Sequence, residues 1–223
     1  TMPLNWMDTS SVTFNALLLL ERVQLSWLPA WKLPADELAL ALRANPAVAW
    51  YLRHKCPPIS AWVDAVLTRE CRPADAERVR AAEQAVLARL EDLLVYAIDP
   101  AIYDAQPFLA WDDRELTGLT DFRARVVIDV GAGTGRLAFA AARAGASAVY
   151  AVEPVANLRE YMRTRAKTLG LARVYAVDGL ITAIPFADGF AAVTLGGHVF
   201  GDEPAQELAE LERVTSPGGM VIL

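Results

Sequence analysis

The chain has 223 residues, of which 54% are hydrophobic and 22% charged, a composition typical of a globular protein with one large or two small domains. Its net charge of −6 and pI near 5.0 argue against a protein that binds nucleic acid through a broad basic surface. Two cysteines cannot form a disulfide framework and favour a cytoplasmic location, and the apolar run Leu17–Leu20 is too short to cross a membrane.

The first hundred residues predict a series of helices punctuated by prolines. The predicted helices are Asn15–Trp27, Asp36–Arg43, Ala47–Lys55, Ile59–Glu70 and Ala74–Ile98. The last is the longest and carries an apolar stripe on one side, which predicts a core-facing helix. His54, Cys56 and Cys71 lack the paired spacing of a metal site, so we expect no metal here.

A connector is predicted between a helical region of residues 1–98 and a second domain of residues 121–223. This segment, residues 99–120, contains the aromatic residues Tyr103, Phe108 and Trp111. Two interpretations stay open at this point. The aromatic side chains either pack within the connector or form a lid that excludes water from a bound ligand.

The most informative stretch of the sequence leads up to Glu153. Val126–Val130 is a short run rich in β-branched residues, which is typical of a strand buried on both faces. A glycine-rich turn follows, then a predicted helix over Arg136–Arg143, and a second predicted strand, Ala148–Val152, ends at the acid. This order is that of a nucleotide-binding βαβ unit.

The glycine spacing narrows the choice of nucleotide. Gly131 and Gly133 let a ligand approach the main chain closely, and Glu153 follows about 20 positions later, where an acid can hold ribose hydroxyls. A dinucleotide fingerprint needs a small residue where Arg136 stands, one position beyond Gly135. The sequence therefore favours an adenosyl ligand without a pyrophosphate, with an NAD-dependent oxidoreductase as an alternative.

The remaining residues continue the alternation of strands and helices. The predicted elements are helix Val155–Leu169, strand Arg173–Val177, strand Ala191–Leu195, helix Pro204–Val214, a turn over Ser216–Gly219 and strand Met220–Leu223. They predict an α/β fold with a doubly wound parallel sheet, whose ligands bind at the carboxyl ends of the strands. Arg159, Arg163 and Lys167, with Arg165 nearby, are interpreted as a solvated helix face, the alternative being a contact to RNA or phosphate.

From Val126 onward the sequence resembles class I S-adenosylmethionine-dependent methyltransferases of the small-molecule type, the group that includes the ubiquinone-biosynthesis methyltransferases. The resemblance rests first on the acid and glycines of Asp129–Gly135. Ile184–Phe190 is similar to the L-P-F-x-D-x-x-F stretch of that group, and Glu212–Gly219 is similar to its E-x-x-R-V-L-K-P-G-G turn. The resemblance implies a Rossmann-like fold, S-adenosylmethionine as cofactor and a small-molecule substrate.

The resemblance also implies roles for individual residues. The candidate cofactor-binding residues are Asp129, Gly131, Ala132, Gly133, Thr134, Gly135, Glu153, Pro154, Asp178, Gly179, Leu195, Gly196 and Gly197. Asp129 and the glycines would line the methionine moiety, Glu153 would take the ribose hydroxyls, and Asp178 would take the adenine amino group. His198 is the candidate catalytic base or substrate orienter, because imidazole can accept a proton near neutral pH. Phe200 in the same loop is a further candidate lid residue.

The sequence departs from the family in three places. Ala191 stands where the family has an acid, and Ser216 replaces a lysine. The sequence stops in the fifth strand, where the family adds a helix and an antiparallel hairpin. We therefore expect a fragment, or an edge covered by another chain or by the helical region, which leaves self-association through that edge open.

Two further alternatives remain. Residues 129–153 also resemble protein arginine methyltransferases, whose clamp of two glutamates would correspond here to Asp202 and Glu203, placed late and next to each other. The other alternative is a cofactor-binding module without catalysis. Neither membrane binding nor nucleic-acid binding is expected.

Overall fold

The computed structural model describes residues 7–70, 73–110, 112–201 and 203–223. The chain divides into two compact units, Thr1–Tyr103 and Asp104–Leu223. Within the described ranges, every helix is too short or too polar to serve as a membrane span.

The first unit is helical. Its elements are the 3₁₀ helix Phe14–Leu19, α1 (Arg22–Trp27), the 3₁₀ helix Leu28–Ala30, α2 (Ala35–Ala44), α3 (Pro46–Lys55), the 3₁₀ helix Pro57–Ile59, α4 (Ser60–Thr68), α5 (Ala76–Arg89), α6 (Glu91–Ile98) and α7 (Pro100–Asp104), which crosses into the second unit. Leucine, valine and alanine side chains from most of these elements form one buried core. The predicted helices α2 and α3 are confirmed within a residue or two at their ends.

The single helix predicted over Asn15–Trp27 is wrong, because the chain leaves helical geometry at Leu20 and Glu21. Glu21 caps α1, and its own amide donates to Gln24 Oε1 at 3.0 Å in a capping box. The Leu20 carbonyl, freed from the helix, accepts a hydrogen bond from the Tyr51 hydroxyl at 2.9 Å. The break therefore satisfies both polar groups that it exposes.

The long helix predicted over Ala74–Ile98 is also interrupted. Leu90 has φ −107° and ψ 7° and separates α5 from α6. It is fully buried, so the apolar stripe passes through the break without changing its pattern. Glu91 and Asp92 then stand in the first turn of α6, where the helix dipole favours acids. The predicted helix Ile59–Glu70 likewise begins in a 3₁₀ turn and ends at Thr68.

The second unit contains a five-stranded parallel sheet in the order β3-β2-β1-β4-β5. Its elements are the 3₁₀ helix Pro107–Leu109, α8 (Asp113–Thr117), β1 (Val126–Val130), α9 (Arg136–Arg143), β2 (Ala148–Val152), α10 (Ala156–Thr168), β3 (Val174–Val177), β4 (Ala191–Gly196), α11 (Pro204–Val214) and β5 (Thr215–Ile222). The predicted α/β fold is confirmed, and apart from β5 the predicted strands and helices from Val126 onward end within one or two residues of their predicted bounds.

The two faces of the sheet are covered differently. Alternate strand residues such as Val127 pack with α9 and α10 on one face, and the others, such as Ile128, pack with α11 on the second face. The connection from β3 to β4 contains no helix, and its loop packs Ile184 and Phe186 onto the second face. All five carboxyl ends lie along one edge of the sheet, which brings residues 129, 153, 178 and 196 to the same side.

The turn predicted over Ser216–Gly219 lies inside β5, where the register between β4 and β5 shifts. Ala191 pairs with Thr215, but Val193 pairs with Met220, so β5 carries the extra residues as a bulge. Beside the bulge, the hydroxyl groups of Thr194 and Thr215 are joined by a hydrogen bond of 2.7 Å. The strand therefore begins five residues before the predicted Met220.

Candidate functional site

The turn between β1 and α9, residues 131–135, is a bend that only glycine accommodates without strain. Gly131, Gly133 and Gly135 have φ values of +63°, +55° and +90°. A Cβ on Gly135 would come within 2.8 Å of the Phe139 ring, so this glycine also lets α9 pack closely. We refer to residues 131–135 as the glycine bend.

Asp129 at the end of β1 is completely buried. Its Oδ2 accepts from the Ala138 amide at 2.9 Å, and Oδ1 has no hydrogen-bond partner among the described residues. The buried hydroxyl of Thr134 in the glycine bend is also unpartnered there. Loss of hydration raises the pKa of Asp129 to about 7, and the nearby Glu153 adds to the rise. An unpaired buried acceptor is a favourable contact for a cationic or hydrogen-bond-donating ligand group.

Glu153 at the end of β2 is brought directly onto the glycine bend. Its Oε2 accepts from the Gly133 amide at 3.0 Å and its Oε1 accepts from the Val155 amide at 2.9 Å. Burial raises the pKa of this carboxyl to about 7, although these two amides and Arg159 oppose the rise. Each carboxylate oxygen retains a second lone pair with which it can accept from a ligand hydroxyl.

These two carboxyl groups predict an unusual pH dependence of stability. Their folded pKa values of about 7 lie above the values near 4 of an unfolded chain. Between about pH 5 and 7 the folded protein therefore retains protons that the unfolded chain has already released, and stability falls as pH rises through that range. We expect the ligand-free protein to melt about 3 °C or more lower at pH 7.5 than at pH 5.

Differential scanning calorimetry across this range tests that expectation. Burial also raises the pKa of Glu91 in the helical unit, with Asp92 adding to the rise, so Glu91 contributes to the same pH dependence. The Asp129→Asn variant is therefore the control, and we expect it to reduce the dependence of the melting temperature on pH without abolishing it. A melting temperature that stays constant or rises from pH 5 to 7.5 would contradict the buried-carboxyl explanation.

Asp178 at the end of β3 reaches the site through Arg159, which sequence analysis placed on a solvated helix face. That interpretation is wrong for Arg159, because its Nη1 donates to the Glu153 carbonyl at 2.7 Å and to Asp178 Oδ1 at 2.9 Å. The first turns of α10 carry it to the strand ends. Arg163 bonds the Ala176 carbonyl at 3.0 Å, and Lys167 is exposed. The fourth cation, Arg165, pairs with Asp104.

The loop after β4 lies against the glycine bend. The position of a Cβ on Gly131 would be 2.6 Å from Val199 Cγ2, and that of a Cβ on Gly196 would be 2.7 Å from Val199 Cγ1. In this structure, therefore, the group that approaches Gly131 closely is the Val199 side chain. The buried Glu207 carboxylate accepts from the Gly201 amide at 3.0 Å and fixes the far end of the loop.

The candidate catalytic and lid residues differ in their surroundings. His198 is exposed and has φ +54°, which is strained for a residue with a side chain. Phe200 and Phe108 are 45% and 48% exposed. The Tyr103 ring packs edge to face on Tyr96 within the helical unit, with centroids 4.8 Å apart, whereas Trp111 lies outside the described residues.

The other predicted cofactor-binding residues lie at the expected strand ends. The Ala132 amide donates to the Val152 carbonyl at 3.1 Å. Pro154 is half-buried between Glu153 and α10. A Cβ on Gly179 would come within 2.8 Å of Pro185. Leu195 is buried in the core on the α9 face, so only its main chain is available to a ligand, and Gly197 follows in the exposed loop.

The described part of the chain holds no group of three or more His, Cys, Asp or Glu side chains that could bind a metal ion. Cys56 is buried in the helical core, and the His54 ring stacks on Trp50 with centroids 3.9 Å apart. Cys71 lies outside the described residues.

The acceptor groups of these strand ends are compatible with S-adenosylmethionine. Asp129 offers an unpartnered buried acceptor for a cationic group, Glu153 stands on the glycine bend with lone pairs for vicinal hydroxyls, and Asp178 follows at the next strand end. The Val199 side chain is an apolar group that packs on Gly131 and Gly196 at this site.

The second unit contains the part of the chain that matches a known protein family. Residues 127–219 match the model of a family described as a methyltransferase domain. Over 65 residues the chain is 42% identical to the histone-arginine methyltransferase CARMER of Anopheles gambiae, a match that spans 29% of this chain and 10% of that protein. The chain thus spans about a tenth of the length of this relative.

Solved structures resemble the chain more distantly. A SAM-dependent methyltransferase from Aquifex aeolicus has a TM-score of 0.48 at 24% identity and matches over 54% of this chain and 69% of that one. The YcgJ protein from Bacillus subtilis has a TM-score of 0.46 at 22% identity, over 49% of this chain and 48% of that one.

Proposed function

We propose that this chain, in which residues 127–219 match the model of a methyltransferase-domain family, transfers a methyl group from S-adenosylmethionine to a small-molecule acceptor. The observation that carries the proposal is the pair of buried carboxyl groups at the glycine bend. Asp129 has an unpartnered oxygen, and Glu153 is hydrogen-bonded to the Gly133 amide. In a domain of this family, such a pair supports binding of the methionine and ribose parts of the cofactor.

The residues of this chain act mainly by binding and orientation. Asp129 would hold the methionine ammonium group, Glu153 the ribose hydroxyls and Asp178 the adenine amino group, while the main chain of Gly196 and Gly197 would border the sulfur. The cofactor supplies a methyl group on a positively charged sulfur that is already a good leaving group. Holding the acceptor in line with that methyl group can contribute roughly 7–11 kcal/mol to the rate acceleration.

The transfer needs little further chemistry from the protein. An acceptor lone pair forms the new bond to the methyl carbon, the carbon–sulfur bond breaks, and its electron pair remains on sulfur. If the acceptor carries a proton, a base must remove it, and His198 in the loop after β4 is the candidate for this task. Its exposure keeps it accessible to an acceptor.

The net charge and the β4–α11 loop favour a small-molecule acceptor. A net charge of −6 disfavours a nucleic-acid substrate. The arginine methyltransferase relative raises a protein substrate as the second candidate. Of the acids that would clamp a guanidinium, Asp202 lies outside the described residues and Glu203 is exposed. Glu207 is already bound to the Gly201 amide, so a small molecule is the better-supported acceptor.

Isothermal titration calorimetry tests the first half of the proposal. We expect S-adenosylmethionine and S-adenosylhomocysteine to bind with micromolar dissociation constants, because several charge-assisted hydrogen bonds are available at the strand ends. NADH serves as the control ligand and is expected not to bind. The absence of micromolar binding for both sulfur ligands, or tight binding of NADH alone, would refute the proposal.

A tritiated-methyl assay on fractionated cell extract tests the second half. Label in the small-molecule fraction supports the proposed acceptor class, label in protein arginine supports the second candidate, and no label despite binding supports a non-catalytic module.

We further propose a cytoplasmic location, from the free thiols, and self-association through the outer edge of β5. Analytical ultracentrifugation tests the self-association.

A further inference from the structure

Arg159 links the ends of β2 and β3. A single guanidinium nitrogen, Nη1, donates to the Glu153 carbonyl at 2.7 Å and to Asp178 Oδ1 at 2.9 Å. The Arg159 side chain is only 14% exposed, whereas that of Asp178 is 75% exposed. A nearly buried cation therefore holds an otherwise solvated carboxylate in one orientation.

The contact engages only part of the Asp178 carboxylate. Oδ1 is engaged by Arg159, and the described residues contribute no hydrogen bond to Oδ2. An ionised carboxylate accepts hydrogen bonds and donates none. Oδ2 is therefore an acceptor of fixed position at the end of β3, next to the strand end that carries Glu153.

We propose that Arg159 is a positioning residue which fixes Asp178 as an acceptor for the 6-amino group of adenine, so that the site distinguishes an adenosyl from a 6-oxo, inosyl, ligand. The inference rests on the proposed function and adds a determinant of specificity to it. Arg159 contacts Asp178 and the Glu153 main chain, and its effect on the ligand is exerted through them.

The discrimination follows from complementary hydrogen bonding. A 6-amino group donates to Oδ2, but a 6-oxo group brings a second acceptor against it, and two facing acceptors repel each other. A binding site rejects an analogue that lacks the hydrogen-bonding group of its ligand. The rejection is strongest when the protein group that bonds the ligand cannot move away. Without Arg159, the exposed Asp178 can rotate into solvent and avoid the repulsion.

Calorimetry with S-adenosylhomocysteine and S-inosylhomocysteine on the full chain tests the inference. We expect the parent protein to prefer the adenosyl ligand by about 20-fold or more, and Arg159→Ala to reduce that preference to about 5-fold or less. The matched control is Arg163→Ala, one turn further along α10, which removes a contact of 3.0 Å to the Ala176 carbonyl but none to either acid. Asp178→Asn, whose amide can also donate, is expected to narrow the preference as Arg159→Ala does.

The ratio of the two affinities separates positioning from folding, because general destabilisation weakens both ligands alike. A parent protein that binds neither ligand refutes the proposed function and this inference with it. A parent protein that prefers the adenosyl ligand, together with an Arg159→Ala variant that keeps the same preference, overturns the inference and leaves the proposed function standing. An equal loss of preference in Arg163→Ala also overturns it.

Discussion

An Asp129→Asn variant is expected to melt at a higher temperature than the parent protein at pH 8, and yet to bind S-adenosylmethionine about 10- to 100-fold more weakly. The asparagine oxygen can still accept from the Ala138 amide, which lies 2.9 Å from Asp129 Oδ2. The substitution removes the cost of an ionised carboxylate in a fully buried position. It also removes the negative charge that we propose holds the ligand cation.

Calorimetric titration and thermal melts at pH 8 measure both effects on the same sample. Asp121→Asn is the control, because Asp121 is an exposed acid paired with Arg123 in the same unit, and it should leave the affinity unchanged. An Asp129→Asn protein with parental affinity would show that this carboxyl group does not contact the ligand.

The second large effect is expected at Arg213. Arg213→Ala should destabilise the second unit by about 3 kcal/mol and lower its melting temperature by roughly 10 °C. The Arg213 guanidinium donates to Glu210 at 2.7 and 2.8 Å, to Asp188 at 2.9 Å, and to the carbonyls of Phe186 and Ile184 at 2.8 and 2.9 Å. These contacts fasten the β3–β4 connection to α11.

Arg213→Lys separates charge from geometry, because an ammonium group cannot reproduce a planar fork with five donors. We expect it to recover less than half of the lost stability. Arg114→Ala, which removes the exposed pair with Asp112, is the control and should change the melting temperature by no more than about 1 °C. An Arg213→Ala protein as stable as this control would show that the network is dispensable.

The Arg213 contacts also explain why two separated stretches of the sequence resemble the same family. Ile184–Phe190 and Glu212–Gly219 are far apart in the chain, but Arg213 binds the main chain of the first stretch from within the second. In turn, Pro185 packs against Gly179, directly after Asp178. The similarity of these stretches to the family thus corresponds to one structural unit behind the candidate site.

Strand positions were predictable because burial on both faces leaves an apolar, β-branched run with polar residues at its end. Val126–Val130 and Ala148–Val152 have this pattern and form strands with those bounds. The helix breaks at Glu21 and Leu90 were not predictable in this way. Leu90 is apolar and buried, as a continuous helix would also require, so its residue type does not mark the break. The break at Glu21 depends on Gln24 and on Tyr51 from another helix.

At the site, the sequence predicted which acids stand at strand ends but not what they bind. Asp129, Glu153 and Asp178 follow strands in the sequence, so their location follows from topology alone. Arg159 was missed because helical periodicity describes a face and not the reach of a side chain. Its position four residues after Val155, in the first turns of the helix that follows the β2 acid, was the one available signal.

The Val199 side chain has a consequence for how tightly any ligand is held. Its methyl groups occupy the space beside Gly131 and Gly196, so a ligand that settles there must first displace them. The measured affinity is then the affinity of the molecules with an open loop multiplied by the fraction of molecules in which the loop is open. A weak dissociation constant would in that case reflect the work of opening the loop, and a smaller side chain at position 199 would tighten binding without adding a single contact.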